Sequence, residues 1–237
     1  MLKFALGVEP SRDYWQHVDP ADIPVDANTA FEERWFGNAT ESRVRIILTN
    51  MRVRYDAYPP ALEVLSDWGH TATPDVRRLI SHWHLQLADP MYRQFTAGFL
   101  VRRRRNGARP VARHHVVDWV DDQQPDRWSN PTLVQWASKL LSASADAGLV
   151  DGKRGERALV TPDVPDVALS YLCHLLRQVE IEGDLLENPY LRSVGLDGRL
   201  LEDRLRRLDG VDFRRMGDLL DFQSTADSLA EWREAIR

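Results

Sequence analysis

Helix punctuation constrains this chain more than any other feature. Thr73-Pro74 and Asp89-Pro90 each put a short polar side chain ahead of a proline, and Ser129 with Pro131 repeats the signal. Proline suits a first helical turn, where its missing N–H has no intrahelical partner, and a preceding Ser, Thr or Asp can cap that turn. Behind each start runs an apolar stripe spaced three and four apart. Val76, Leu79, Ile80, Trp83 and Leu87 follow the first. Met91, Phe95 and Phe99 follow the second, and Leu133, Trp136, Ala137, Leu140 and Leu141 the third. An earlier stripe of Val44, Ile47, Leu48, Met51 and Tyr55 predicts a helix over 39–56, broken by Pro59 and Pro60. Pro60 opens a short helix to Trp68, and 111–122 reads as one more. A mainly α fold follows.

Two places break the helical rule. Ahead of Thr29, Pro10, Pro20 and Pro24 among several Asp predict an irregular arm, or a short strand plus loop, over 1–28. Thr29 with Glu32 then reads as a capping box ahead of Trp35, and Asn38 with Glu41 as the next start. After Gly148, Leu149-Val150 and Ala158-Leu159-Val160 flank the charged turn Asp151-Gly152-Lys153-Arg154-Gly155-Glu156-Arg157. Two short apolar runs around a Gly-rich turn predict a β-hairpin. Helix, strand, basic turn, strand is the closing order of a winged helix. Pro165 to Gln178 follows as a helix. Beyond Gly183 the plan recurs: a helix over 184–191, a Leu200, Leu201, Leu205, Leu208 stripe, a hairpin of 211–213 with 219–222, and a last helix capped by Ser224.

The expected organisation is an arm over 1–28 and a helical bundle with a basic patch over 29–125. A winged-helix-like unit over 126–180 and a second, acidic helix-hairpin unit over 181–237 complete it. The last segment, with residue 180, carries fourteen Asp and Glu against nine Arg, so it is expected to pack on protein rather than on DNA.

Charge supplies the functional reading. Met91 to Val117 holds Arg93, Arg102, Arg103, Arg104, Arg105, Arg109 and Arg113 and no acid, inside a chain of net charge −5. One or two arginines in a last helical turn complement the helix dipole. Four in a row, followed by two more, predict an anion site, and nucleic acid is the commonest polyanion. The candidate DNA contacts are Arg102, Arg103, Arg104, Arg105, Arg109 and Arg113, with Gln135 and Lys139 on the helix after Ser129 (Ser142 further along it) and Lys153, Arg154 and Arg157 on the wing. Arg43, Arg45, Arg52 and Arg54 read instead as a polar helix face pairing with local acids.

Catalytic and metal constellations are missing from the pattern. His82 and His84 stand two apart on a helix and point different ways; His114 with His115 and Cys173 with His174 are adjacent, which is no better. There is no phosphate-binding loop, dinucleotide turn or nucleophile elbow. Asp121-Asp122 and Glu202-Asp203 read as solvated pairs, and Lys3, Lys139 and Lys153 adjoin no carboxylate cluster. The expectation is a non-catalytic protein without cofactor or metal; a divalent-metal nuclease is the enzymatic alternative. The single Cys173 allows no intrachain disulfide, no stretch suits a membrane span or secretory signal, and the cytoplasm is the expected compartment. Most of the eight Trp are expected in helical cores.

Three stretches together resemble a known family. They are Asn38 to Tyr58 (NATESRVRIILTNMRVRYDAY), the arginine-ended helix DPMYRQFTAGFLVRRR, and NPTLVQWASKLLSASADAGLV. They are similar to the BrxA family of BREX bacteriophage-exclusion systems, over roughly 28–180. The resemblance implies a small, mostly helical, cytoplasmic protein that binds double-stranded DNA, works beside other phage-defence subunits and has no known enzymatic activity. It carries no catalytic residue onto this chain. The competing readings are a protein–protein adaptor within such a defence complex and a transcriptional regulator.

Overall fold

Each apolar stripe becomes a helix, and the prolines open helices more often than they end them. A computed structural model describes residues 5–107, 110–152, 155–178, 186, 188–216 and 219–236. The first helix falls where an irregular arm is expected: α1 (Val8–His17) buries Tyr14 and Trp15. Pro10 lies in its first turn, where no intrahelical acceptor waits for an N–H, so it interrupts nothing. Gly7 takes the left-handed conformation at its start, φ 65°. After α2 (Ala27–Glu32), α3 (Glu41–Tyr55) starts at Thr40, whose hydroxyl accepts the Arg43 N–H at 3.4 Å. The starts expected at Thr29 and Asn38 are thus taken by Asp26 and Thr40.

α4 (Pro59–Val64) runs into a π-helical turn over Leu65–Gly69, and α5 (Pro74–Ala88) follows. α6 (Pro90–Gln94), a second π-helical turn (Phe95–Phe99) and α7 (Leu100–Arg105) make one rod, begun by Asp89 Oδ1 accepting the Tyr92 N–H at 3.0 Å. Then come α8 (Arg113–Gln123), α9 (Asn130–Asp146), β1 (Val150–Asp151), β2 (Ala158–Leu159) and α10 (Asp166–Gln178). The chain closes with α11 (Pro189–Ser193), α12 (Gly198–Leu205), β3 (Val211–Met216), β4 (Leu219–Ser224) and α13 (Leu229–Ala235). Of the helix expected over 184–191, residues 184, 185 and 187 lie outside the described residues. The cap of α13 is Ser228, which accepts the Glu231 N–H at 3.1 Å; Ser224 ends β4 instead.

Two antiparallel hairpins are present, β1 with β2 and β3 with β4, the latter in register from Val211 opposite Ser224 to Met216 opposite Leu219. One further bridge shapes the middle of the chain. Val111 exchanges backbone hydrogen bonds with Arg157, N to O at 2.9 Å in both directions. The segment before α8 therefore lies against the exit of the β1–β2 turn. The order along this stretch is helix (α6–α7), bridging strand, α8, α9, β1, turn, β2.

α5 holds the molecule together. Every residue from Leu79 to Gln86 is buried, as expected of a helix enclosed on all sides. α1, α3, α6 and α10 pack around it. One continuous buried cluster runs from Leu6 through Trp232 and crosses the expected boundaries at 125 and 180. Trp15, Trp35, Trp83, Trp119 and Trp232 are buried in it, and Trp68, Trp128 and Trp136 pack against it. Tryptophan is core material here, as the sequence predicts.

His82, His84 and the Gln86 amide nitrogen, enclosed with α5, find partners, as burial favours. His82 bonds the Tyr92 hydroxyl and the Ser193 hydroxyl, both at 2.9 Å. His84 bonds the Arg54 carbonyl at 3.0 Å and the Tyr171 hydroxyl at 2.7 Å. Gln86 donates to Thr96 Oγ1 at 2.8 Å. Arg54, expected on a polar face, is 1% exposed and donates to the carbonyls of Leu6 and Ala5, fastening α3 to the segment before α1. Burial holds His82 down at about 3 and His84 at about 4, both neutral at pH 7; the nearby charges of Arg104 and Arg54 push the same way.

An acid titration checks this core. The unfolded imidazoles take protons near pH 6.5, whereas the folded ones refuse them until about 4 and about 3. The unfolded state therefore binds more protons in that window, and stability must fall as pH drops through it. Urea midpoints measured from pH 7.5 downward should decline from about pH 6.5. A flat profile down to the carboxylate range would contradict the burial of both rings.

Candidate nucleic-acid interface

Four consecutive helical residues cannot form one patch, because successive side chains turn by about 100° around the axis. α7 distributes its arginines accordingly. Arg102 is exposed and, among the described residues, has neither an ion pair nor a hydrogen bond. Arg103 is half-buried: Nη2 donates to the Pro110 carbonyl at 2.7 Å, and its guanidinium lies 5.7 Å from the Phe99 ring centre. Arg104 turns inward. Its Nη1 donates to the Ser193 carbonyl at 2.9 Å, and its Nη2 to those of Val160 at 2.7 Å and Leu149 at 3.3 Å. Burial pulls its pKa below the usual arginine value. Arg105 pairs with Asp197 Oδ2 at 2.7 Å. The expected single basic patch is thus four separate placements. Arg104 and Arg105 are committed to the protein itself. Arg109, Lys153 and Arg154 lie outside the described residues.

A second group of candidates does converge. A cleft of about 720 Å³ opens between the start of α8, one flank of α9 and the wing turn. Arg113, His114, Ser138, Glu156 and Arg157 line it, two arginines and one carboxylate among the described residues. Arg113 is exposed and, among the described residues, carries no ion pair. Arg157 is anchored by Nη1 donating to the Leu141 carbonyl at 2.8 Å, and its partial burial lowers its pKa. That bond joins the wing base to α9.

α9 supplies the face beside the cleft. It buries Leu133, Ala137, Leu140, Leu141 and Ser144. Gln135, Lys139 and Ser142 fall on its other side at helical spacing; Gln135 and Ser142 are exposed and Lys139 half-buried. At the start of α8, His115 Nδ1 accepts the Ala112 N–H at 3.1 Å, closing the first turn, and its ring meets that of His114 at a 46° tilt with centroids 4.1 Å apart. Partial burial, then the charges of Arg103 and His114, hold His115 below the ordinary histidine value. It caps, while His114 faces the cleft.

His114 and the Val111 bridge are the two parts that sequence reasoning misses. An adjacent histidine pair reads only as a failed metal pair, and a one-residue bridge has no periodicity to announce it. Elsewhere the chemistry is structural. His82 and His84 are spent on core hydrogen bonds, and burial pushes the Cys173 thiol up to about 12. Among the described residues no three His, Cys, Asp or Glu stand together as metal donors would. Among the same residues no helix is long and apolar enough to cross a membrane. Comparison with protein-family models, with curated proteins and with solved structures gives no match.

The split of the arginine run has a direct stability signature. Arg104→Ala removes three carbonyl contacts at once and should cost about 2–4 kcal/mol. Arg113→Ala should stay within about 0.5 kcal/mol of wild type. Urea unfolding of both variants reads the difference, and equal losses would contradict the placement of either side chain.

Proposed function

We propose that this chain is a non-catalytic DNA-binding accessory protein of a bacterial phage-defence system of the BREX type, gripping duplex DNA mainly through phosphates. The observation that carries the reading is the winged-helix-like order of 90–160, with a polar face on α9 beside a cleft lined by Arg113, His114 and Arg157. In helix-turn-helix proteins one helix enters the major groove while flanking elements hold the backbone. Here α9 is the groove helix, with Gln135, Lys139 and Ser142 facing bases or phosphates. Arg113, His114 and Arg157 hold phosphates on one flank, joined by Arg103 from α7. Lys153 and Arg154 belong to the wing turn, and Arg109 to the segment before α8, by their place in the sequence. Arg104 and Arg105 leave the contact set because the protein already uses them.

Two of the three family-resembling stretches, the arginine-ended helix and α9, fall inside this unit; the third is α3 in the core. Contacts of this kind are weakly sequence-specific, since phosphates carry no sequence information. A second reading, an adaptor that docks an acidic subunit of the same complex, is favoured by the net charge of −5 and the acidic C-terminal segment.

Binding of the purified protein to a random-sequence duplex over a salt series separates the two. The DNA reading predicts log–log salt dependence with a slope on the order of −4, and Arg113→Ala should reduce it by about one. Replacing exposed Gln135 by Ala should weaken binding without changing urea stability. Failure of the wild type to bind bare duplex at low salt would move the assignment to the adaptor.

A further inference from the structure

The interface cleft is larger and chemically more mixed than a grip on phosphates requires. Phosphate contacts need only a row of donors, whereas this hollow encloses about 720 Å³, within the range of pockets that hold small molecules. Its floor is apolar, since Ala112 and Leu141 are both buried there. Its rim carries the carboxylate of Glu156, on the wing turn. Glu156 is exposed and, among the described residues, has neither an ion pair nor a hydrogen bond. A carboxylate repels a phosphate, so it weakens a site built for phosphates alone. The N–H groups of a nucleobase reverse that sign: a Glu or Asp accepts from the exocyclic amine of cytosine.

Three further groups fit a base with its phosphate. His114 is exposed and lines the cleft, and an imidazole ring is a stacking surface for an unstacked base. Ser138 Oγ donates to the Val134 carbonyl at 2.7 Å, which leaves its oxygen to accept a further hydrogen bond. Arg113 stands exposed at the same mouth, where the phosphate of an entering nucleotide would lie. The walls are fixed in advance. Arg157 ties the wing turn to α9 through the Leu141 carbonyl at 2.8 Å, and its backbone bridge to Val111 ties the same turn to the start of α8.

A paired base inside a duplex cannot enter such a hollow, whereas an unpaired one can, at a smaller cost of unstacking. We propose that the cleft receives an unpaired nucleobase of the bound DNA, cytosine ahead of thymine. Glu156 accepts from the exocyclic amine, the His114 ring lies against the face of the base, and Arg113 holds its phosphate. Thymine carries a carbonyl where cytosine carries the amine, and that oxygen would face the carboxylate. Such a site presupposes the DNA-binding reading and narrows its substrate to a duplex with an unpaired base.

Fluorescence anisotropy of the full chain with three duplexes of one sequence tests this: one fully paired, one with a single bulged C, one with a single bulged T. The C-bulged duplex is expected to bind tightest, about tenfold tighter than the T-bulged one. Glu156→Gln should abolish that difference between the two bulges. Glu156 is exposed, so its variant should unfold in urea like wild type. Equal affinity for the two bulges means that a flexible joint, rather than a base, is selected, and overturns the base site. A C-bulged duplex bound no tighter than the paired one overturns it, as does a preference for C that survives Glu156→Gln. In all three cases DNA binding itself stands. Failure to bind any of the duplexes overturns the base site together with the DNA-binding reading.

Discussion

Arg104 fastens three separate parts of the chain with one side chain. Its guanidinium meets the carbonyl of Leu149 at the end of the α9 turn, that of Val160 at the exit of β2, and that of Ser193 at the end of α11. Hydrogen bonds to a charged donor are worth more than neutral ones, and carbonyls left without it would keep their desolvation cost. Both ends of the wing hairpin are therefore set by α7. The same contact seats α11. An arginine that looks like part of a binding patch is the joint between the β1–β2 hairpin and α11.

Behind that joint stands the enclosed helix α5. A helix buried on all sides would ordinarily be apolar throughout, yet this one carries Ser81, His82, His84 and Gln86 inside. His82, His84 and Gln86 are tied to elements far apart in sequence: His82 to Ser193, His84 to Arg54 and Tyr171, Gln86 to Thr96. Such bonds have direction, which apolar contacts lack, so they fix how α3, α10 and α11 sit around α5. Tyr190, Leu191 and Trp232 of the acidic C-terminal segment lie in the same buried cluster.

Much of the architecture was legible in the sequence because its signals are local. Thr73-Pro74, Asp89-Pro90 and the stripes behind them start and orient α5, the α6–α7 rod and α9, and the Gly-rich turn places β1 and β2. The failures are equally physical. Pro10 was read as a breaker although a first turn tolerates it, and Arg54 as surface although its charge is satisfied by carbonyls some fifty residues earlier. The candidate site was half legible. Gln135, Lys139, Arg113 and Arg157 were named from charge and spacing and lie on α9 or in the cleft. The run of Arg102 to Arg105 was read along the chain as one patch, whereas a helix displays it around an axis. No local signal could have shown that Val111 bridges Arg157, since that pairing spans α8 and α9.

Among the described residues, Arg104, Arg105, Arg204 and Arg233 are absorbed by carbonyls or carboxylates, while Arg113 stands exposed at the cleft. Mapping amide and side-chain NMR shifts on addition of a short DNA duplex tests this most directly. The account predicts perturbations centred on Arg113, His114, Gln135, Lys139 and Ser142, with Arg105 and Asp197 unmoved. Shifts centred on Arg105, Asp197 and α12, with the α9 face silent, would contradict it.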